Sequence, residues 1–124
     1  MTVTVFGIPN CDTVKKARTW LAEHRVDYAF HDYKKSGIDA DRLANWVDRF
    51  GWEKVLNRAG TTFKKLPDAM KADLDAAKAI AIMVENPSAI KRPIVEHDSR
   101  ALLGFSPAEW ETAFWRHTSP INTA

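Results

Sequence analysis

The sequence predicts an α/β domain: a strand–helix–strand unit, a helical middle section, then a strand pair and a last helix. Three observations predict it. Thr2 to Phe6 is a β-branched and aromatic run that stops at Gly7-Ile8-Pro9, as a strand does. Val14, Ala17 and Leu21 follow at spacings of three and four, which is one face of a helix. Val26, Tyr28 and Phe30 then alternate with Asp27, Ala29 and His31, the period of a second strand. A strand, a helix and a strand in so short a run imply parallel strands joined by a right-handed crossover.

The remaining elements follow in order. Asn10 is the expected cap of the first helix, because its side chain can accept from free backbone N–H groups. Lys34-Lys35-Ser36-Gly37 reads as a loop. Asp39 then caps a helix carrying Leu43, Trp46, Val47 and Phe50 on one face, and Gly51 ends it. Trp52 to Leu56 is a short turn, Asn57-Arg58-Ala59-Gly60 a break, and Thr61 or Thr62 opens another turn that Pro67 closes. Met70, Leu74, Ala77, Ile80 and Val84 mark a longer helix that ends before Pro87. Ile94 to Glu96 reads as a strand, His97-Asp98-Ser99 as its turn and Arg100 to Gly104 as the returning strand. Ser106-Pro107-Ala108-Glu109 combines a Ser cap, Pro at the first helical position and Glu three residues after the cap. Trp110, Ala113 and Phe114 would face the core. His117 to Ala124 carries no pattern and is expected to fray.

The chain has 124 residues, enough for one domain with one main core. The expected layout is a single domain over 1–117, a helical insert at about 38–90, and a disordered tail at 118–124. A net charge of +2 gives no electrostatic case for a nucleic-acid binder. The start Met1-Thr2-Val3-Thr4-Val5 lacks a signal peptide's basic and apolar regions. Ala76 to Val84 falls far short of the roughly 20 apolar residues of a membrane span. A monomeric cytoplasmic protein is expected.

Cys11 is the only cysteine, so no internal disulfide can form. A lone cysteine is commonly a small buried hydrophobe. This one stands among the polar residues Asn10, Asp12 and Thr13, at the start of a helix. There it meets unpaired N–H groups and the positive end of the helix dipole, both of which favour the thiolate. The thiolate is the reactive form. Lys15 and Lys16 add positive charge, although a solvated surface accounts for such lysines equally well. His24, His31, His97 and His117 are scattered and one cysteine gives no zinc pair, so no metal site is expected. No glycine-rich phosphate loop is present.

A βαβ unit, a helical insert and a ββα unit, with a thiol at the first helix, resemble a thioredoxin or glutaredoxin fold. Three stretches sharpen the resemblance: Phe6-Gly7-Ile8-Pro9-Asn10-Cys11-Asp12-Thr13-Val14-Lys15-Lys16-Ala17, Leu56-Asn57-Arg58-Ala59-Gly60-Thr61-Thr62 and Arg92-Pro93-Ile94-Val95. Together they resemble the arsenate reductase-like (ArsC/Spx) family, most closely its YffB branch of proposed glutathione-dependent thiol reductases. The resemblance implies that Cys11 is the nucleophile and that Arg92 faces it. It implies an anion-holding turn made by Asn10, Asp12, Thr13, Val14 and Lys15, as helix N-termini hold anions. It also implies that Pro93 is the proline, usually cis, before the third strand. Arg58 is the candidate second arginine, with Asn57 as the alternative register.

Departures from the family pattern narrow the reading. Val14 stands where many Spx-type regulators have a second cysteine, so a resolving thiol must come from outside, and glutathione is the abundant choice. Phe105 lies where arsenate reductases carry a third arginine, and Gly7 where they often have a histidine. The implied activity is a monothiol oxidoreductase with no tightly bound cofactor and glutathione as co-substrate. Glutaredoxin is a further partner, and the substrate is a small oxidised thiol or an oxyanion. The alternatives are arsenate reduction by the same thiol and a non-enzymatic, Spx-like adaptor of RNA polymerase.

Overall fold

In the computed structural model, residues 3–97 and 100–118 are described, with side chains described as far as Phe114. Strand β1 (Val3–Gly7), helix α1 (Asp12–Glu23) and strand β2 (Ala29–Asp32) form the expected parallel unit, with Val5 opposite Phe30. Strand β3 (Ile94–His97) lies antiparallel to β1, and β4 (Arg100–Leu103) antiparallel to β3. The strand order is therefore β2-β1-β3-β4.

Strand periodicity assigns the two faces. Val3, Val5 and Val95 pack with Ala17, Trp20 and Leu21 of α1 and with Trp110 and Phe114 of α8 (Pro107–Thr118). Phe6 and Ile94 alternate to the other face and pack with the helices between β2 and β3. Those are α2 (Tyr33–Ser36), α3 (Ala40–Phe50), α4 (Trp52–Val55), α5 (Thr61–Lys64), α6 (Asp68–Lys71) and α7 (Ala76–Glu85), followed by a 3-10 turn at Pro87–Ala89. The insert thus builds a second core on the sheet face opposite α1.

Within the insert, α3 is as expected. Asp39 accepts from the Arg42 N–H at 2.7 Å, Leu43 and Trp46 are buried, and Gly51 ends the helix at a φ of 92°. Trp46 Nε1 donates to Glu96 on β3 at 2.7 Å, and Arg42 pairs with the same carboxylate. The extended residues after α4 pair with those after α7. Leu56 bridges Ile90, the Asn57 N–H donates to the Ala89 carbonyl at 2.8 Å, and the Lys91 N–H donates to the Val55 carbonyl at 2.8 Å. These bonds tie the insert to the segment that enters β3.

Several expectations need correction. Lys34-Lys35-Ser36-Gly37 is not a loop. Asp32 accepts from the Lys34 N–H at 2.9 Å and caps the single turn α2, which Gly37 ends at a φ of 65°. The second strand begins at Ala29, although Val26 is buried ahead of it. The helix drawn through Met70 to Val84 is two helices, separated where Asp73 takes a φ of 52° and Asp75 caps α7. The buried face of α7 is Ala79, Ile82 and Met83, whereas Ala77 and Val84 are exposed. Ala76 to Val84 is apolar almost all round, so periodicity there gave little contrast and tertiary packing chose the face. His97 belongs to β3 and is buried with its ring 4.7 Å from that of Phe114. The last helix runs through His117 and Thr118. The expectations for Thr2, for the Asp98-Ser99 turn and for the tail at 119–124 fall outside the described residues.

Candidate active site

Cys11 occupies the N-cap position of α1, with extended backbone at φ −105° and ψ 127°. Its N–H donates to the Ile8 carbonyl at 3.2 Å, and its carbonyl accepts from the Lys15 N–H at 2.9 Å. The Ile8–Cys11 turn therefore places Cys11 itself, not Asn10, at the helix entrance. Asn10 lies exposed one residue outside. The thiol makes no capping hydrogen bond of standard geometry, yet it sits in the field of the free helix amides. Partial burial pushes the Cys11 thiol up. The Val14 N–H, the Arg92 side chain, the Thr13 N–H and the Arg92 charge together outweigh that effect and hold it below the ordinary thiol value.

Arg92 reaches the thiol from the other end of the chain. Its Nη1 donates to the Ser88 carbonyl at 2.7 Å, and its Nε is buried with no hydrogen-bond partner among the described residues. The Arg92–Pro93 peptide is cis, and the Pro93 carbonyl accepts from the Gly104 N–H at 2.8 Å. Gly7 makes the close approach possible. A Cβ built there would lie 2.8 Å from Val14 Cγ2 and 3.8 Å from Arg92 Cβ. A side chain at position 7 would thus collide with Val14 and push α1 away from β1.

The other expected site residues divide. Val14 is fully buried and contributes its N–H while its side chain holds α1 to the sheet. Asp12, Thr13 and Lys15 are exposed at the mouth of the site. Arg58 is exposed and its guanidinium lies over the Trp52 ring, 5.4 Å from the centroid, so its contacts are with the insert rather than with the thiol. Phe105 packs edge-on against Trp110 at 4.8 Å, half-buried against the core beside α8.

Two contributors were not singled out in the sequence. The Ser88 carbonyl orients Arg92, and a backbone acceptor leaves no mark on residue type. Tyr33 is buried beneath the Arg92 segment, and its hydroxyl donates to the Lys91 carbonyl at 3.4 Å. Burial pushes its phenol far up against the opposing pull of Arg92, so it stays a neutral donor. The apolar pattern before α2 was the available signal. Among the described residues, no group of three or more His, Cys, Asp or Glu could hold a metal ion, and no helix is long and apolar enough to cross a membrane.

A four-stranded mixed sheet, a cysteine at the N-cap of the first helix and an arginine before a cis proline define a thioredoxin-like domain with a single cysteine. The chain belongs to the ArsC family, which matches residues 6–113. A solved structure of the YffB (PA3664) protein is 57% identical with a TM-score of 0.89, covering 90% of this chain and 98% of that one. An arsenate reductase-related protein from Brucella melitensis is 52% identical with a TM-score of 0.72, covering 92% and 95%. The global transcriptional regulator Spx of Streptococcus pyogenes is 32% identical over 86% of this chain and 81% of its own length.

Proposed function

We propose that the protein is a monothiol oxidoreductase that works with glutathione. The observation that carries this reading is the place of Cys11 at the N-cap of α1, facing the α1 amides and Arg92, which together favour its thiolate. The Cys11 thiolate attacks one sulfur of an oxidised substrate. A new sulfur–sulfur bond forms at Cys11, the substrate's bond breaks, and the leaving thiolate carries away the electron pair. Arg92 and the Val14 and Thr13 amides favour the attacking anion. With Cys11 the only cysteine, a glutathione thiolate then attacks the adduct, takes the bound group as a disulfide and restores the Cys11 thiolate. Glutaredoxin is a second thiol donor of the same kind.

Arsenate reduction fits the residues less well. A compact oxyanion calls for several fixed positive donors. Here Phe105 packs on Trp110, Gly7 leaves no room for a side chain, and Arg58 rests on Trp52. The likeness to Spx supports a different reading, an adaptor that binds RNA polymerase through its surface. Equal polymerase capture by wild type and by Cys11→Ser would favour it.

Mass spectrometry after incubation with oxidised glutathione tests the main reading. The expected result is one glutathione adduct, on Cys11, removed by reduced glutathione with a rate that follows the thiol concentration. No adduct, together with no NMR shift change around Cys11 and Arg92 on adding glutathione, would overturn it.

A further inference from the structure

Next to the segment that carries Arg92 lies a second feature that the chemistry above does not use. A cleft of about 520 Å³ opens between α4, the residues that follow it and the segment entering β3, with Leu56 and Leu103 among its walls. That size suits a small-molecule site. Lys54, Arg58 and Lys91 line it, against one acidic residue, Glu53. The Glu53 carboxylate turns back toward Gly51, with Oε1 3.6 Å from where a Cβ on that glycine would stand. Among the described residues no ion pair involves Lys54, Arg58 or Lys91.

Two of the cations are also held. Arg58 rests on the Trp52 ring. The Lys91 backbone is fixed by the Val55 carbonyl and the Tyr33 hydroxyl, and its stem passes 3.5 Å from where a Cβ on Gly104 would stand. Lys91 is the residue before Arg92, and Leu103 pairs with Ile94, so the cleft borders the strand entry that carries the thiol's arginine.

We infer that the Lys54–Arg58–Lys91 cleft is a subsite for the anionic end of a small disulfide, so that carboxylate-bearing disulfides are preferred. The inference rests on the thiol–disulfide reading above and names the substrate class. Cations on a concave wall raise the local concentration of anions and fall silent when salt screens them.

Two chromogenic disulfides separate the ideas: dithiobis(nitrobenzoate), which carries carboxylates, and neutral dithiodipyridine. Each is reacted with the full chain under single-turnover conditions. Wild type and the double variant Lys54→Gln/Lys91→Gln are compared by the ratio of the two rate constants. The expected result is a roughly ten-fold fall in the anionic-to-neutral ratio in the variant, about 1.4 kcal/mol, and a similar fall for wild type at high salt. An unchanged ratio, with both probes still reacting, overturns the subsite and leaves the thiol chemistry standing. Failure of both probes on folded wild type overturns the thiol chemistry itself. The neutral probe serves as the folding control for the variant.

Discussion

At position 7 the strand ends and the helix of Cys11 crosses close by, with Arg92 in van der Waals reach. The absent side chain is what lets strand and helix meet. Val14 is fully buried, and a β-branched residue in a helix has one strongly preferred rotamer, so it cannot step aside. Gly7→Ala is therefore expected to destabilise the fold by about 1–3 kcal/mol, the usual cost of overpacking. The double variant with Val14→Ala should recover part of that loss. Chemical denaturation of the two single variants and the double one gives the comparison, and strict additivity would argue against the contact. The same crowding explains why an imidazole at this position is incompatible with the observed approach of α1 to β1. Of the site residues, Cys11 was legible from its polar neighbours and its place at a helix start, whereas Arg92 and Pro93 entered through the family resemblance. The capping position was misread by one residue because Asn10 has the higher intrinsic preference for a cap. The Ile8–Cys11 turn decided otherwise.

Helix starts at the element scale show where local chemistry suffices. Asp39 and Asp75 each accept from the N–H three residues on, at 2.7 and 2.8 Å, and each opens an insert helix. Asp39→Ala and Asp75→Ala should each cost about 1 kcal/mol, and Asp→Asn much less, because asparagine caps nearly as well. Denaturant midpoints measure this, and an alanine cost no larger than the asparagine cost would contradict the capping role. The α3 stripe was readable because the exposed polar residues Asp41, Asn45, Asp48 and Arg49 set off Leu43, Trp46 and Val47. The α7 face was not, because Ala76 to Val84 offers apolar residues in every direction and the packing against α3 chose Ala79, Ile82 and Met83. The α2 turn was hidden for a different reason. Lys34 and Lys35 carry no apolar signal, and the turn is set by the Asp32 cap and the burial of Tyr33.

For the whole molecule, the insert does more than add a second core. Its pairing of Leu56 with Ile90, and of Val55 and Asn57 with Lys91 and Ala89, fixes the segment from which Arg92 reaches the thiol. The site is thus made by tertiary structure joining two distant stretches. The sequence showed the stretches but not the Ser88 carbonyl or the Tyr33 hydroxyl that hold one of them. Because the Cys11 thiol is lowered on folding, the folded state binds fewer protons than the unfolded one. The thiolate's stabilisation is present in full above the unfolded thiol's pKa and is lost as pH falls through the lowered folded value. The stability gap between wild type and Cys11→Ser should accordingly widen in favour of wild type as pH rises across that window. Urea denaturation at a series of pH values reads it, and a gap independent of pH would speak against the lowered thiol.

The most direct measurement is the titration of the Cys11 thiol, followed by the pH dependence of alkylation in wild type and in Arg92→Gln. A midpoint below the ordinary thiol value in wild type, moved upward in the variant with the fold intact by circular dichroism, is the predicted result. An ordinary midpoint in wild type, or the same midpoint in both proteins, would contradict the account.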